Sequence, residues 1–176
     1  MNIRFLKLQV EDAVKIREMD ASQYIGKAWR EVDGERKLVE IGYQDPTWPN
    51  GYEHHYDNLV KTIENKGLAL GAFDDKGKLI GFVTVNAEVF GERSRYVLLD
   101  QLFITLEHRG KGIGKDLMTK AAVASRSFGA EKLFICAGSA EETIAFYKAM
   151  GCVMAEEINE SLYNEDPRDL QMEYTI

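Results

Sequence analysis

Cysteine and proline are scarce in this sequence: its 176 residues include two Cys, at 136 and 152, and three Pro. Two thiols cannot build a disulfide framework, and so little proline excludes a proline-rich or low-complexity chain. Long hydrophobic runs are missing too. No stretch approaches the roughly 20 apolar residues that cross a bilayer, and the opening Met-Asn-Ile-Arg-Phe lacks the apolar core of a signal peptide, so the expected place is the cytoplasm, with no membrane partner. Positive charge is in deficit, with 22 Lys and Arg against 29 Asp and Glu and a net charge of −7. This argues against a nucleic-acid partner and mildly favours a cationic ligand. Of three histidines, His54 and His55 are adjacent; on a helix they would point about 100° apart and could not share a metal ion. They are expected as partly exposed loop residues, and no metal site is expected.

What is present suffices for one compact α/β domain spanning residues 1–176, since a chain of this length buries roughly two-thirds of its unfolded surface and 45% of its residues are hydrophobic. Alternation over Ile3 to Val10 predicts a strand, and Val14, Ile16 and Met19 predict a helix over Glu11 to Met19. Residues 20–58 are variable in pattern. Val32-Asp33-Gly34-Glu35 fits either a hairpin turn or a break between helices, residues 45–51 read as a loop, and Tyr56 to Glu64 reads as a helix with Leu59, Val60 and Ile63 on one face. From residue 68 the pattern sharpens. Leu68 to Phe73 and Leu79 to Val85 flank a Gly-containing turn as antiparallel strands, and Arg95 to Thr105 is a mostly apolar strand suited to the middle of a sheet. A glycine loop leads into a helix over Asp116 to Phe128, followed by a strand at Lys132 to Ala137 that a crossover sets parallel to its predecessor. Glu141 to Met150 reads as a helix ended by Gly151, and Cys152 to Ile158 with Leu170 to Thr175 read as a final pair of strands.

The chemistry concentrates in Arg109-Gly110-Lys111-Gly112-Ile113-Gly114-Lys115. Three glycines where a strand turns into a helix expose backbone N–H groups without Cβ atoms in the way, and three basic side chains add charge, so this loop suits a pyrophosphate; a plain structural turn is the other reading. A P-loop needs four residues between its first Gly and the Gly-Lys pair, then Ser or Thr; here three residues separate Gly110 from Gly114, and Asp116 follows Lys115. A dinucleotide fingerprint needs Gly where Lys115 stands.

With Leu102-Phe-Ile-Thr before this loop and Ile144-Ala-Phe-Tyr-Lys-Ala-Met-Gly151 after it, the sequence resembles the GNAT superfamily of acetyl-CoA-dependent N-acetyltransferases over roughly residues 68–175. The family pattern Arg/Gln-x-x-Gly-x-Gly/Ala falls on Arg109, Gly112 and Gly114. The resemblance implies a twisted mixed sheet of about seven strands, splayed between two central parallel strands and flanked by about four helices. It also implies acetyl-CoA as co-substrate. Backbone groups of Leu102, Phe103 and Ile104 would pair with the pantetheine arm, and Gly110, Lys111, Gly112, Ile113, Gly114 and Lys115 would hold the pyrophosphate. The family's Asn after the second parallel strand is replaced by Ala140, with Ser139 beside it as a substitute coenzyme contact. Residues 20–58 become the variable, substrate-side segment.

The resemblance further implies transfer of the acetyl group to a primary amine by direct attack in a ternary complex. Asp100 is the candidate base; its alternatives are a carboxylate bonded to a neighbouring strand or one that binds a cationic substrate. Tyr147 is the candidate acid for the coenzyme sulfur, also coenzyme-contacting, with packing on the helix face as its alternative; a phenol is protonated at neutral pH without tuning. Cys136 and Cys152 read as buried thiols, because direct attack needs no covalent enzyme intermediate. Tyr24, Trp29, Tyr43, Trp48, Tyr52 and Tyr56 are expected either around an acceptor ammonium or in ordinary packing. A non-catalytic acyl-CoA-binding module is the competing function, and a homodimer is left open.

Overall fold

A computed structural model describes residues 2–176. Its main sheet has seven strands, β1 (Arg4–Lys7), β4 (Leu68–Phe73), β5 (Leu79–Val85), β6 (Tyr96–Ile104), β7 (Lys132–Ala137), β9 (Leu170–Thr175) and β8 (Val153–Met154), in that spatial order. All neighbours run antiparallel except β6 and β7. β5 is buried at every position, as a central strand covered on both faces must be. One face carries α2 (Ile113–Ser125) and α3 (Glu141–Ala149) over a core that includes Val83, Val97, Leu117, Leu133 and Ile144. The other carries α1 (Tyr52–Glu64) and a 3-10 segment (Val10–Glu18) over Leu8, Ile16, Trp48, Leu59, Leu79 and Phe82.

The central unit, β6 to loop to α2 to β7, matches its expected order and the parallel crossover, and α2 begins at Ile113, three residues before the expected Asp116. Elsewhere the structure corrects the sequence reading. The segment after β1 is 3-10, so residues three apart share a face: Ala13, Ile16 and Met19 are buried, whereas Val14 is exposed. Residues 23–45 form a hairpin apart from the main sheet, β2 (Gln23–Val32) and β3 (Glu35–Asp45), which settles the two readings of Asp33-Gly34. Both turn residues have positive φ, 53° and 77°, as a two-residue hairpin turn requires. α1 starts at Tyr52, four residues earlier than expected, and so takes His54 and His55 into the helix, with His55 buried. The expected strand over Cys152 to Ile158 shrinks to β8, and a short helix α4 (Glu160–Glu165) fills the way to β9.

The α4 excursion is tied down at its base. Glu157 accepts backbone N–H bonds from Glu92, Arg93 and Ser94, while Gln171 both accepts from the Asn159 N–H and donates to the Asn159 carbonyl, each at 2.8 Å. Among the described residues no helix is long and apolar enough to cross a membrane.

Candidate active site

The site begins where two strands part. β6 and β7 pair from Tyr96 with Lys132 as far as Leu99 with Ile135, and no further, although β6 continues to Ile104 and β7 to Ala137. On its other edge β6 is bulged: Val85 of β5 faces Leu99 and Thr84 faces Gln101, leaving Asp100 as the extra residue. A bulge re-aims a side chain. Leu99 and Gln101 are buried, and Asp100 between them is exposed at the mouth of the opening. Beyond it, Leu102, Phe103 and Ile104 keep β5 on one side and have no strand on the other, so backbone groups on that side, apart from the Ile104 carbonyl that a side chain of the next loop already engages, are available to an extended amide chain.

The chain then reaches the glycine loop through Thr105, whose N–H bonds the Ile80 carbonyl, and Arg109, whose Nε donates to the Ile104 carbonyl at 3.0 Å. Gly110 and Gly112 have φ of 73° and 84°, and a Cβ on either would meet no atom within 4 Å. That open space lies before the first turn of α2, where N–H groups lack intrahelical partners and the helix dipole is positive. Ile113 is buried and anchors the helix start, so only its backbone is available to a ligand. Gly114 packs inward, its Cβ position 3.5 Å from the Phe146 ring of α3. Arg109, Lys111 and Lys115 are exposed around this cradle.

α3 carries Tyr147, which is 7% exposed and belongs to the first core, its ring edge-on to Phe146. Burial, with Cys152 nearby, pushes its phenol well above the ordinary value, so it holds its proton. Ser139, on the loop between β7 and α3, is engaged by the hairpin: Arg30 Nη1 donates to its Oγ at 2.6 Å, and the Trp29 N–H donates to its carbonyl at 2.8 Å. Ala28 bridges Ala140 beside them, and Lys148 lies over the Trp29 ring. The β2–β3 ribbon is thereby docked against the end of β7.

The mouth is acidic. Asp100 reaches solvent through the opening, yet the protein around its carboxyl removes part of its hydration and raises it above the usual range; the charges of His54, His55 and Lys61 of α1 work against this shift, and Glu165 of α4 adds to it. Cys136, the first residue of β7 past the last pair, is pushed up to about 12 by burial and by Asp169, Glu165 and Asp100. Asp169 is raised to about 6 by burial and by Asp166. The sequence reading missed Glu165 and Asp169 because nothing in their pattern brings the 160–170 segment back to β6. It also missed His55 and Gln101, which bond each other beneath the bulge, because nothing in the sequence pattern brings together two residues 46 apart.

The expected aromatic cluster does not assemble. Trp48, Tyr52 and Tyr56 pack with the second core, Trp29 lies under Lys148, and Tyr24 and Tyr43 are exposed on the ribbon. A cavity of about 660 Å³ lined by Phe90, Tyr96, Phe134 and Glu156 sits at the start of β6, the far end from the glycine loop; another of about 380 Å³, between Asp20, Lys78 and Thr105, adjoins the loop's approach. Among the described residues no group of three or more His, Cys, Asp or Glu is placed to hold a metal ion.

The acetyltransferase (GNAT) family model matches residues 36–152. No curated protein sequence matches the chain. Among solved structures the fold is similar to nourseothricin acetyltransferase (TM-score 0.74, 22% identity, 99% of each chain covered). It is also similar to a putative streptothricin acetyltransferase from Bacillus anthracis str. Ames in complex with acetyl coenzyme A, with TM-score 0.72 and 15% identity over 100% of this chain and 99% of that one. PaiA N-acetyltransferase from Thermoplasma acidophilum in complex with coenzyme A has a TM-score of 0.64 at 20% identity, with both chains covered in full.

Proposed function

The chain belongs to the acetyltransferase (GNAT) family, and from that premise we propose that it moves the acetyl group of acetyl-CoA to a primary amine of a cationic small molecule, by direct attack within a ternary complex. One observation carries the reading: the sheet opens after Leu99 and Ile135 with Asp100 bulged at its mouth, on the same strand that ends at the glycine cradle. Acetyl-CoA supplies the thioester. The cradle of Gly110 to Lys115 suits its pyrophosphate, and the unpaired edge of Leu102 to Ile104 suits its pantetheine amides. Ser139, already bonded to Arg30, keeps limited capacity for a coenzyme contact.

An alkylamine with pKa about 10.4 is neutral in about one molecule of 2,500 at pH 7, equivalent to roughly 4.6 kcal/mol. Asp100 takes the proton that makes the amine nucleophilic, and its raised basicity brings it closer to that task. Tyr147 keeps its proton and donates it toward the departing sulfur as negative charge develops there. Cys136 stays a thiol beside the opening, which supports direct attack over a covalent route. For the acceptor, the carboxylates of Asp100, Glu165 and Asp169 favour an ammonium-bearing molecule, as do the names of the nourseothricin and streptothricin enzymes, and the docked β2–β3 ribbon forms its wall. The test is acetyl-CoA consumption across a panel of mono- and polycationic amines. Turnover is expected with a polycationic member; tight acetyl-CoA binding without consumption by any amine would leave a non-catalytic acyl-CoA-binding module.

A further inference from the structure

His55 stands in the first turn of α1 with 6% of its surface exposed, and both ring nitrogens are taken. Nε2 lies 2.6 Å from the Pro49 carbonyl oxygen and Nδ1 lies 2.8 Å from Gln101 Oε1. Gln101, itself 4% exposed, returns the contact by donating its amide N–H to the His55 carbonyl at 3.4 Å. It is also the residue that resumes the β5 ladder after the bulge at Asp100. A bulged residue has no ladder partner, and this pair braces the residue next to it from the α1 side.

The pairing also fixes orientation. A carbonyl oxygen only accepts, so Nε2 donates to Pro49. Turning the Gln101 amide over would set its Oε1 against the His55 carbonyl oxygen, two acceptors face to face, so the contact at Nδ1 and the return bond to the His55 carbonyl hold the Gln101 side chain in one orientation. The rings of Trp48 and Phe103, with centroids 5.1 and 4.8 Å from the imidazole, pack against it and hold it in place.

We propose that His55 is a positioning residue for the reaction: through Gln101 it fixes the bulge that presents Asp100, and so sets the surroundings in which that carboxyl titrates. The inference rests on Asp100 as the base. The groups that bear on Asp100 are His54, His55 and Lys61 from α1, Glu165 from α4 and Cys136 from β7. Of these, His55 alone is both buried and bonded to the residue beside Asp100.

The experiment is the pH dependence of kcat/KM for the acceptor in wild type, Asp100→Asn, His55→Gln and Gln101→Met, together with a carboxyl carbon NMR titration of Asp100, assigned by its absence in Asp100→Asn. Loss of the acid limb in Asp100→Asn assigns that limb to Asp100. In His55→Gln the limb and the titration should both move to higher pH by about half a unit or more, a roughly threefold slower rate on the acid side, because His55 is among the groups that hold the Asp100 carboxyl down against its loss of hydration. Acetyl-CoA affinity should be unchanged. Gln101→Met breaks the clamp from β6, should shift the limb the same way, and decides the matter if His55→Gln does not fold. An Asp100 titration unmoved in a folded variant of either residue overturns the inference. A wild-type rate and profile in Asp100→Asn would instead remove Asp100 as base, and the carboxyl titration would still show whether His55 governs its charge.

Discussion

Leu99 and Ile135 are the last residues paired across the parallel strands, and the residue after each, Asp100 on β6 and Cys136 on β7, borders the opening between them. The end of that pairing places one carboxyl and one thiol side by side in surroundings that disfavour charge on either. A carboxylate so placed gains basicity, whereas a thiol so placed loses reactivity.

Asp100→Asn should lower kcat by about 10² to 10⁴-fold at neutral pH with acetyl-CoA affinity intact, and alkaline pH should restore part of the rate as free amine becomes abundant. Steady-state kinetics against pH checks this. If KM for the amine rises and kcat holds, Asp100 recognises the acceptor without moving its proton.

Gly112→Val acts on the loop proposed to hold the coenzyme pyrophosphate. Its φ of 84° is in the left-handed region, and the added side chain would project into the open space before α2. Acetyl-CoA affinity should weaken at least tenfold, about 1.4 kcal/mol, by calorimetric titration of the folded variant. Dephosphorylated pantetheine, lacking the pyrophosphate, should bind both proteins alike.

Tyr147→Phe keeps the ring and its packing, so stability should change by about 1 kcal/mol or less. We expect kcat to fall about 10-fold to 10³-fold with acetyl-CoA affinity nearly unchanged, the mark of an interaction made as the sulfur gains charge. A thioester with a more acidic leaving thiol should be less sensitive to the change. Equal sensitivity for both donors would return Tyr147 to packing.

Asp169→Asn should raise thermal stability at neutral pH. Its carboxyl is held at about 6 in the folded chain against an ordinary 3.8, so the folded state binds a proton that the unfolded state has released between those values. Stability therefore falls as pH rises from about 4 to about 6, and removing the ionisable group should recover on the order of 1–2 kcal/mol at pH 7. Melting curves of the two proteins should converge below about pH 4. If Asp169 also faces the acceptor, the gain should come with a higher KM for a polycationic amine.

The parts of the fold legible in the sequence are those whose burial is one-sided or complete. β4, β5 and β6 are apolar runs bounded by glycine turns, and α2 carries its buried Leu117, Met118, Ala121 and Ala122 at helical spacing. The ribbon was not legible as a ribbon, because β2 and β3 place charged residues such as Glu31, Arg36, Lys37 and Glu40 on exposed strands in which Ala28 alone is buried, too little for an alternating pattern. α4 was missed for a related reason: none of its six residues is buried, so it has no periodic face. The glycine loop could be read because its chemistry is local. The bulge at Asp100 could not, since a bulge is defined by the register of a partner strand, and the clamp beneath it joins residues 46 apart in sequence.

The docking of the ribbon onto Ser139 and Ala140 joins positions more than a hundred residues apart, the Arg30 to Ser139 bond spanning 109. Closing so long a segment costs more entropy than closing the Asp33-Gly34 turn, so the ribbon can form early as a local unit and attach late. Its attachments are a few bonds, the Lys148 to Trp29 contact and the packing of buried Ala28 and of Trp29 at the edge of the first core, against the continuous ladders of β4 to β7. It should therefore open at a lower free energy than the sheet, with its amides exchanging with solvent as a group before those of β5 and β6. The wall assigned to the acceptor and the cradle assigned to the donor then belong to separate cooperative units, so mutations can accumulate in one without unfolding the other.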